Sequence, residues 1–295
     1  MSEPESGTSA RSEGRFRPER RPYVSVPVTV VGRASRGADG RTDDLAAVEE
    51  PLEVRLHGQP FAVIMRTPGD DRALAAGFLL SEGVVRTADD IGAVEHCRHP
   101  GRPDGHNVVD VYLLGESRAA LDAMLADRRK VLTNSSCGLC GRLTIDSLKT
   151  RASPLPVGWT MTAEVAARLP DGLRERQRVF DGTGGLHAAG LFTPTGACDA
   201  FAEDVGRHNA VDKVIGAMLL DDRLPLAGHA LAVSGRTSFE ILQKAWLAGL
   251  SLVCAVSAPS SLAIELADEA GITLLGFARE GGFNVYTHAQ RITDL

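Results

Sequence analysis

No run in the chain approaches the ~18 consecutive apolar residues of a membrane-spanning helix, so no membrane partner is expected. Nor is there a basic surplus. Lys and Arg number 32 against 38 Asp and Glu, for a net charge of −6, which argues against a broad nucleic-acid-binding face. The five cysteines are an odd number with one close pair, unlike a disulfide framework. That pattern fits a reducing, cytoplasmic setting. A second Cys-x-x-Cys and any His-x-x-x-His are also missing, which leaves a structural zinc site short of its four ligands. No metal ligand is assigned. Arg20-Arg21 precede a valine-rich run, but that run is short, contains Pro27 and has no small-residue cleavage site, so an export signal is not expected. There is no internal repeat.

Present instead is ordinary globular composition over 295 residues, 43% of them hydrophobic, enough for a large core and one to two domains. Residues 1–22 are polar, rich in Arg, Glu, Ser, Gly and Pro, and read as a disordered tail. Residues 23–130 read as a small α+β domain. It contains a strand over 24–31, a polar loop over 36–44 and a hairpin of residues 52–56 and 61–65 about His57-Gly58-Gln59. Thr67-Pro68-Gly69-Asp70-Asp71 then caps a helix to Leu80, a strand covers 108–114, and a short helix covers 121–125. Residues 131–295 read as an α/β domain. Helices are predicted over 142–149, 162–168, 209–220, 237–247 and 260–270. A hairpin spans 191–202, and strands follow at 230–233, 252–256, 272–277 and 284–287. Continuous apolar strands alternating with amphipathic helices predict a largely parallel, helix-covered sheet.

The most chemically informative stretch is Ser135-Ser136-Cys137-Gly138-Leu139-Cys140-Gly141. Two thiols three residues apart can share a metal, form a redox disulfide or pass sulfur. The flanking glycines predict an exposed loop. Arg142 and the start of the predicted helix after Gly141 both favour thiolate. Cys198 and Cys254 sit in apolar surroundings and read as buried fillers. His187, within Thr183-Gly184-Gly185-Leu186-His187-Ala188-Ala189-Gly190, can orient a thiol or take a proton, or can be purely structural.

Two successive strand-to-helix junctions, Ser234-Gly235-Arg236-Thr237-Ser238 and Ser257-Ala258-Pro259-Ser260-Ser261, place hydroxyls and free backbone N–H groups beyond a strand's carboxyl end. Such ends favour anions, phosphate above all, and open α/β sheets bind ligands along that edge. Arg236 adds a bidentate partner. The segment Phe277-Ala278-Arg279-Glu280-Gly281-Gly282 follows the next strand and adds a second arginine. Glu203-Asp204-Val205-Gly206-Arg207-His208-Asn209 reads either as a helix cap with a solvated first turn or as a site wall with Asp204 bonding His208 or Arg207. A thiol loop with a pocket for a polyphosphate-bearing ligand points to sulfur delivery to a nucleotide-like cofactor.

From Tyr23 onward the chain resembles the formate dehydrogenase accessory sulfurtransferase (FdhD/NarQ) family. The likeness rests on Met65-Arg66-Thr67-Pro68-Gly69-Asp70-Asp71, on Ser136-Cys137-Gly138-Leu139-Cys140-Gly141, on Glu203 through Lys213, on Ser234-Gly235-Arg236 and on Val256-Ser257-Ala258-Pro259-Ser260-Ser261. The resemblance implies a cytidine-deaminase-like three-layer α/β/α second domain and a homodimer. It also implies an enzyme that takes persulfide sulfur from a cysteine desulfurase and passes it to the molybdenum (or tungsten) bis-guanine-dinucleotide cofactor, Mo-bis(molybdopterin guanine dinucleotide), destined for the formate dehydrogenase catalytic subunit. Cys137 would carry the sulfur and Cys140 assist. Residues 277–282 would bind the cofactor, with Ser234, Gly235, Arg236, Ser257 and His187 completing the pocket. Glu280, with Gly282 where a basic residue is common, departs from the pattern and leaves Arg279 and Arg236 to supply the positive charge. Deamination is disfavoured because Ala189 stands where a zinc deaminase places its proton-shuttling Glu. The alternative is a non-catalytic cofactor-binding chaperone with structural or redox-sensing thiols.

Overall fold

The computed structural model describes residues 21–30, 41–97, 105–121 and 153–295. The Cys137–Cys140 loop, the predicted helix over 142–149, nearly all of that over 121–125 and the boundary near 130 lie outside the described residues.

Strand β1 (Tyr23–Thr29) pairs antiparallel with β2 (Arg41–Ala47). Residues 41–44, expected in a loop, are therefore strand. Val26 opposite Asp44 and Val28 opposite Thr42 show the pairing partner overriding a polar composition. The predicted hairpin forms from β3 (Glu50–Leu56) and β4 (Gln59–Arg66). Its two-residue turn, His57 and Gly58, has φ of 50° and 79°, the double positive φ that suits the twist of paired strands. Then come α1 (Asp71–Ser81), β5 (Ile91–His96), β6 (Val108–Leu113) and α2 (Gly115–Ala119). They complete a four-stranded sheet in the order β4-β3-β6-β5. The cap expected before α1 takes another form. Asp70 lies in the left-handed region at φ 55° with no side-chain cap bond, and Thr67 is committed elsewhere, as shown below.

The second part runs β7 (Met161–Thr162), α3 (Ala163–Arg174), α4 (Arg178–Thr183), β8 (His187–Phe192), β9 (Cys198–Asp204) and α5 (Arg207–Leu220). It continues through β10 (Ala230–Val233), α6 (Phe239–Leu247), β11 (Leu252–Ala255), α7 (Ser261–Ala270), β12 (Thr273–Arg279), β13 (Gly282–Thr287) and β14 (Ile292–Thr293). A six-stranded sheet has the order β13-β12-β11-β10-β8-β9. The prediction of a largely parallel sheet needs correction. Only β10, β11 and β12 are parallel neighbours, and antiparallel β8-β9 and β13 flank them. The β8-β9 pair is the hairpin expected over 191–202, extended to 187–204; the antiparallel pairing of β8 with β10 is hidden from the sequence, because β8 is apolar almost throughout, as a parallel strand would be.

Helices cover both faces. Leu169 and Leu173 of α3 pack with Ala188, Ala232 and Cys254 on one side. Val211, Leu242 and Leu266 of α5, α6 and α7 pack with Leu191, Leu231 and Leu274 on the other. The result is a three-layer α/β/α arrangement. The second core also takes in Leu52, Val54 and Leu74, so the first unit shares it. Helix α1 lies directly on α5. A Cβ on Gly77 would fall 2.0 Å from the Asp212 carbonyl oxygen, and one on Gly216 would fall 1.9 Å from that of Ala73. Only glycine permits that approach.

Candidate functional site

The segment 203–213 anchors the site and is not a solvated helix turn. Asp204 is fully buried. Its Oδ2 receives the Lys213 ammonium at 2.8 Å and the Thr67 N–H at 3.2 Å. Its Oδ1 receives the Gly206 N–H and the Asn209 amide, each at 2.8 Å. Asn209 also donates to the Met65 carbonyl, Lys213 to that of Thr67, and the Val205 N–H to the Thr67 hydroxyl. The expected bond from Asp204 to His208 or Arg207 is not formed; Asn209 and Lys213, in the first and second turns of α5, take it instead. A second buried pair, Lys244 to both oxygens of Asp212 at 2.7 and 2.8 Å, also takes the Ser81 hydroxyl of α1. Burial pushes the Asp212 carboxyl up, against the pull of Lys244.

These clamps hold β8, β9 and α5 under a cavity of about 490 Å³ on the α3 side of the sheet, at the carboxyl ends of the parallel strands. Pro170, Leu173, Phe180, Leu186, Val256 and Ala278 give it an apolar lining. Its polar groups are Asp171, Arg174, Gln177, His187, Ser234, Arg279 and Glu280. The α4 wall is pinned from β9. Glu203, which heads the anchoring segment, accepts the N–H groups of Val179 and Phe180 at 3.1 and 2.9 Å, capping α4 from outside its own chain segment. Over Phe180 lies the Arg174 guanidinium, 5.0 Å from the ring centroid.

His187 opens β8 at the cavity floor. Its Nδ1 is 3.5 Å from the Ser234 hydroxyl, which accepts the Ala188 N–H at 2.9 Å. Gly235 sits against the ring: a Cβ there would meet Nδ1 at 3.3 Å and Arg207 Cδ at 3.6 Å. Burial, reinforced by the Arg207 cation, holds the His187 pKa below its ordinary value. A neutral imidazole can accept a proton or a hydrogen bond at neutral pH. His208 is more extreme. Burial and the Lys244 and Arg207 cations bring it down to about 4, and its Nε2 contacts the Ser238 hydroxyl at 3.2 Å.

The two junctions expected to offer free N–H groups are partly bonded to each other. The Thr237 N–H donates to the Ala258 carbonyl at 3.3 Å and the Ser260 N–H to that of Thr237 at 3.0 Å. Ser260 caps α7 through Ala263 N–H, whereas Ser238 caps nothing and meets His208. Residues 277–282 are the end of β12, a two-residue turn and the start of β13, not a free loop. Glu280 and Gly281, at φ 54° and 75°, make the turn, and Phe277, at φ 52°, marks a bulge that breaks the register between Gly276 and Arg279.

Of the sequence-predicted residues, His187, Ser234, Ala278, Arg279 and Glu280 line one cavity. Gly235 backs it through His187. Ser257 accepts the Phe277 N–H at 3.2 Å and so supports the bulge. Phe277, Gly281, Gly282 and Arg236 are exposed and are not among the lining residues. Cys137 and Cys140 lie outside the described residues. Cys254 is a buried filler, pushed up to about 12 by burial, while Cys198 is half-buried and also raised. Among the described residues no cluster of three or more His, Cys, Asp or Glu is placed to hold a metal, and no helix is long and apolar enough to cross a membrane. Arg174, Gln177 and Phe180 were missed from sequence. They lie on and just after a helix whose amphipathic pattern accounts for its core face alone.

A model of the FdhD/NarQ family matches residues 47–293. A Streptomyces avermitilis protein named sulfur carrier protein FdhD is 50% identical over 274 residues, covering 88% of this chain and 93% of its own length. Proteins of the same name from Streptomyces coelicolor and Nocardia farcinica are each 49% identical, over 88% and 90% of this chain and 93% and 94% of theirs. Among solved structures, a candidate formate dehydrogenase accessory protein from Desulfotalea psychrophila matches with a TM-score of 0.73. That match covers 92% of this chain and all of that one, at 24% identity, which is a likeness of fold.

Proposed function

The chain belongs to the FdhD/NarQ family, and from that premise we propose that it is a cytoplasmic sulfurtransferase acting, as a homodimer, in the maturation of formate dehydrogenase. The Cys137 thiolate attacks the outer sulfur of a cysteine desulfurase persulfide. A sulfur–sulfur bond forms on Cys137, the donor's bond breaks, and the desulfurase cysteine leaves as thiolate. The Cys140 thiolate then attacks the Cys137 sulfur, the persulfide bond breaks, and the outer sulfur leaves as sulfide to the molybdenum or tungsten bis-guanine-dinucleotide cofactor, which is substrate here; the Cys137–Cys140 disulfide left behind is reopened by a cellular dithiol reductant.

The observation that carries this reading is the cavity. Three segments separated in sequence bring His187, Ser234 and Arg279 to one volume beside an apolar wall. Such a pairing of flat apolar surface with hydroxyl and guanidinium suits a ligand with both a ring and phosphates. His187, held neutral, is placed to accept a hydrogen bond at the cavity floor. The name sulfur carrier, borne by relatives about half identical across most of the chain, supports the transfer step. The test is formate dehydrogenase activity in cells whose sole copy carries Cys137→Ala. Activity should be lost while the variant still binds GDP, a fragment of the cofactor. Normal maturation with Cys137→Ala would refute the transfer role and leave a cofactor chaperone.

A further inference from the structure

Among the polar side chains of the cavity that the sulfur chemistry does not use, Gln177 is the most buried. Gln177 is 4% exposed, lines the cavity and precedes α4 at its N-cap position. An N-cap side chain ordinarily turns back onto the helix N–H groups. Here Gln177 makes no such bond, because Glu203 already fills that role from β9. Among the described residues the Gln177 amide has no side-chain hydrogen-bond partner. The amide atoms are not sealed off from solvent, so they open onto the cavity, where a ligand that both donates and accepts can meet them.

Beside it stand Phe180 and Arg174, stacked at 5.0 Å, with Arg174 also paired to Asp181. That is a flat wall of the kind that takes a heteroaromatic ring. Arg279 and Ser234, which suit phosphate, come from the β12 and β10 ends.

Resting on the reading of this cavity as a nucleotide site, we propose that Gln177 is its base-reading residue: its amide pairs with the edge of a purine laid against the Phe180–Arg174 wall. The geometry separates two tasks, with the base read from α4 and the phosphates held from the sheet end. A guanine edge offers an N–H beside a carbonyl, which an amide can match with two bonds.

The experiment is calorimetric titration of the full chain with GDP, ADP and inorganic pyrophosphate. Gln177→Leu should lower GDP affinity about tenfold, the size of one lost hydrogen-bonding interaction. It should narrow the preference for GDP over ADP and leave pyrophosphate binding unchanged. Gln177→Glu guards against a folding defect in the leucine variant. It should keep GDP binding, since a carboxylate accepts from both guanine N–H groups, and further weaken ADP. If GDP binds and Arg279→Ala weakens it, yet both Gln177 variants keep the wild-type ratio of GDP to ADP affinity, the base is read elsewhere and the proposal fails alone. If the wild type binds neither GDP nor pyrophosphate, the nucleotide reading of the cavity falls as well.

Discussion

The Lys213 ammonium lies 2.8 Å from Asp204 Oδ2, with the two side chains 2% and 0% exposed. This pair joins the middle of α5 to the end of β9, and both partners reach across to Thr67 of the first unit. Removing one charge leaves the other buried without its counter-ion. Lys213→Ala should therefore cost about 3–5 kcal/mol, read as a shift in the denaturant midpoint. A change below about 1 kcal/mol would mean that the pair is solvated and does not clamp the units.

The close crossing of α1 and α5 gives a second expectation. Gly216→Ala places a methyl 1.9 Å from the Ala73 carbonyl oxygen, a backbone atom that cannot turn aside. Helix separation should cost about 3 kcal/mol or abolish folding. Gly228→Ala, where a Cβ meets nothing within 4 Å, should stay within about 0.5 kcal/mol. Thermal melts of the two variants make the comparison.

His208 gives a pH dependence of definite sign. Its pKa is 6.5 for an ordinary histidine and about 4 in the fold, so the unfolded chain binds the extra proton more readily. The neutral ring contributes stability that is fully present above pH 6.5 and is lost as pH falls toward 4. His187, shifted in the same direction, adds to it. His208→Gln should flatten the fall in melting temperature over that window. An unchanged slope would place the sensitivity in other groups.

The two arginines that the sequence treats alike separate in the structure. Arg279 lines the cavity, whereas Arg236 is exposed and is not among the lining residues. Arg279→Ala should weaken GDP binding by about 1.5 kcal/mol, the low end for a charged hydrogen bond because the side chain is itself exposed. Arg236→Ala should change it by less than about 0.5 kcal/mol. Equal losses in a titration would put the phosphates nearer the β10 junction.

Much of this was legible in the sequence where local pattern and tertiary fate agree. The β3–β4 hairpin, α5 and the strands β10 and β11 follow from period and turn residues. Strand direction was legible for the β8–β9 hairpin but not for the antiparallel pairing of β8 with β10, since β8 is buried on both faces and reads like a parallel strand. Asp204 stayed open between a solvated cap and a site wall because a charge-dense segment normally faces water, and its partners are Lys213 and Asn209, not His208 or Arg207. Its counter-ion Lys213 lies nine positions on, beyond the i+4 reach of a helix surface pair. His187, Ser234 and Arg279 could be singled out because glycines and strand ends mark them. Gln177 carries no local signal: its burial comes from α3 and α4 folding over the sheet, and its freedom comes from Glu203 on another strand.

The most direct test follows the sulfur itself. Intact-protein mass spectrometry of wild type, Cys137→Ala and Cys140→Ala after incubation with a cysteine desulfurase and cysteine reads the adduct. A gain of one sulfur, about 32 Da, on wild type that disappears with Cys137→Ala is the expected result, since the persulfide sits on the attacking thiol. An adduct that persists in Cys137→Ala, or none on any form, would contradict Cys137 as the carrier.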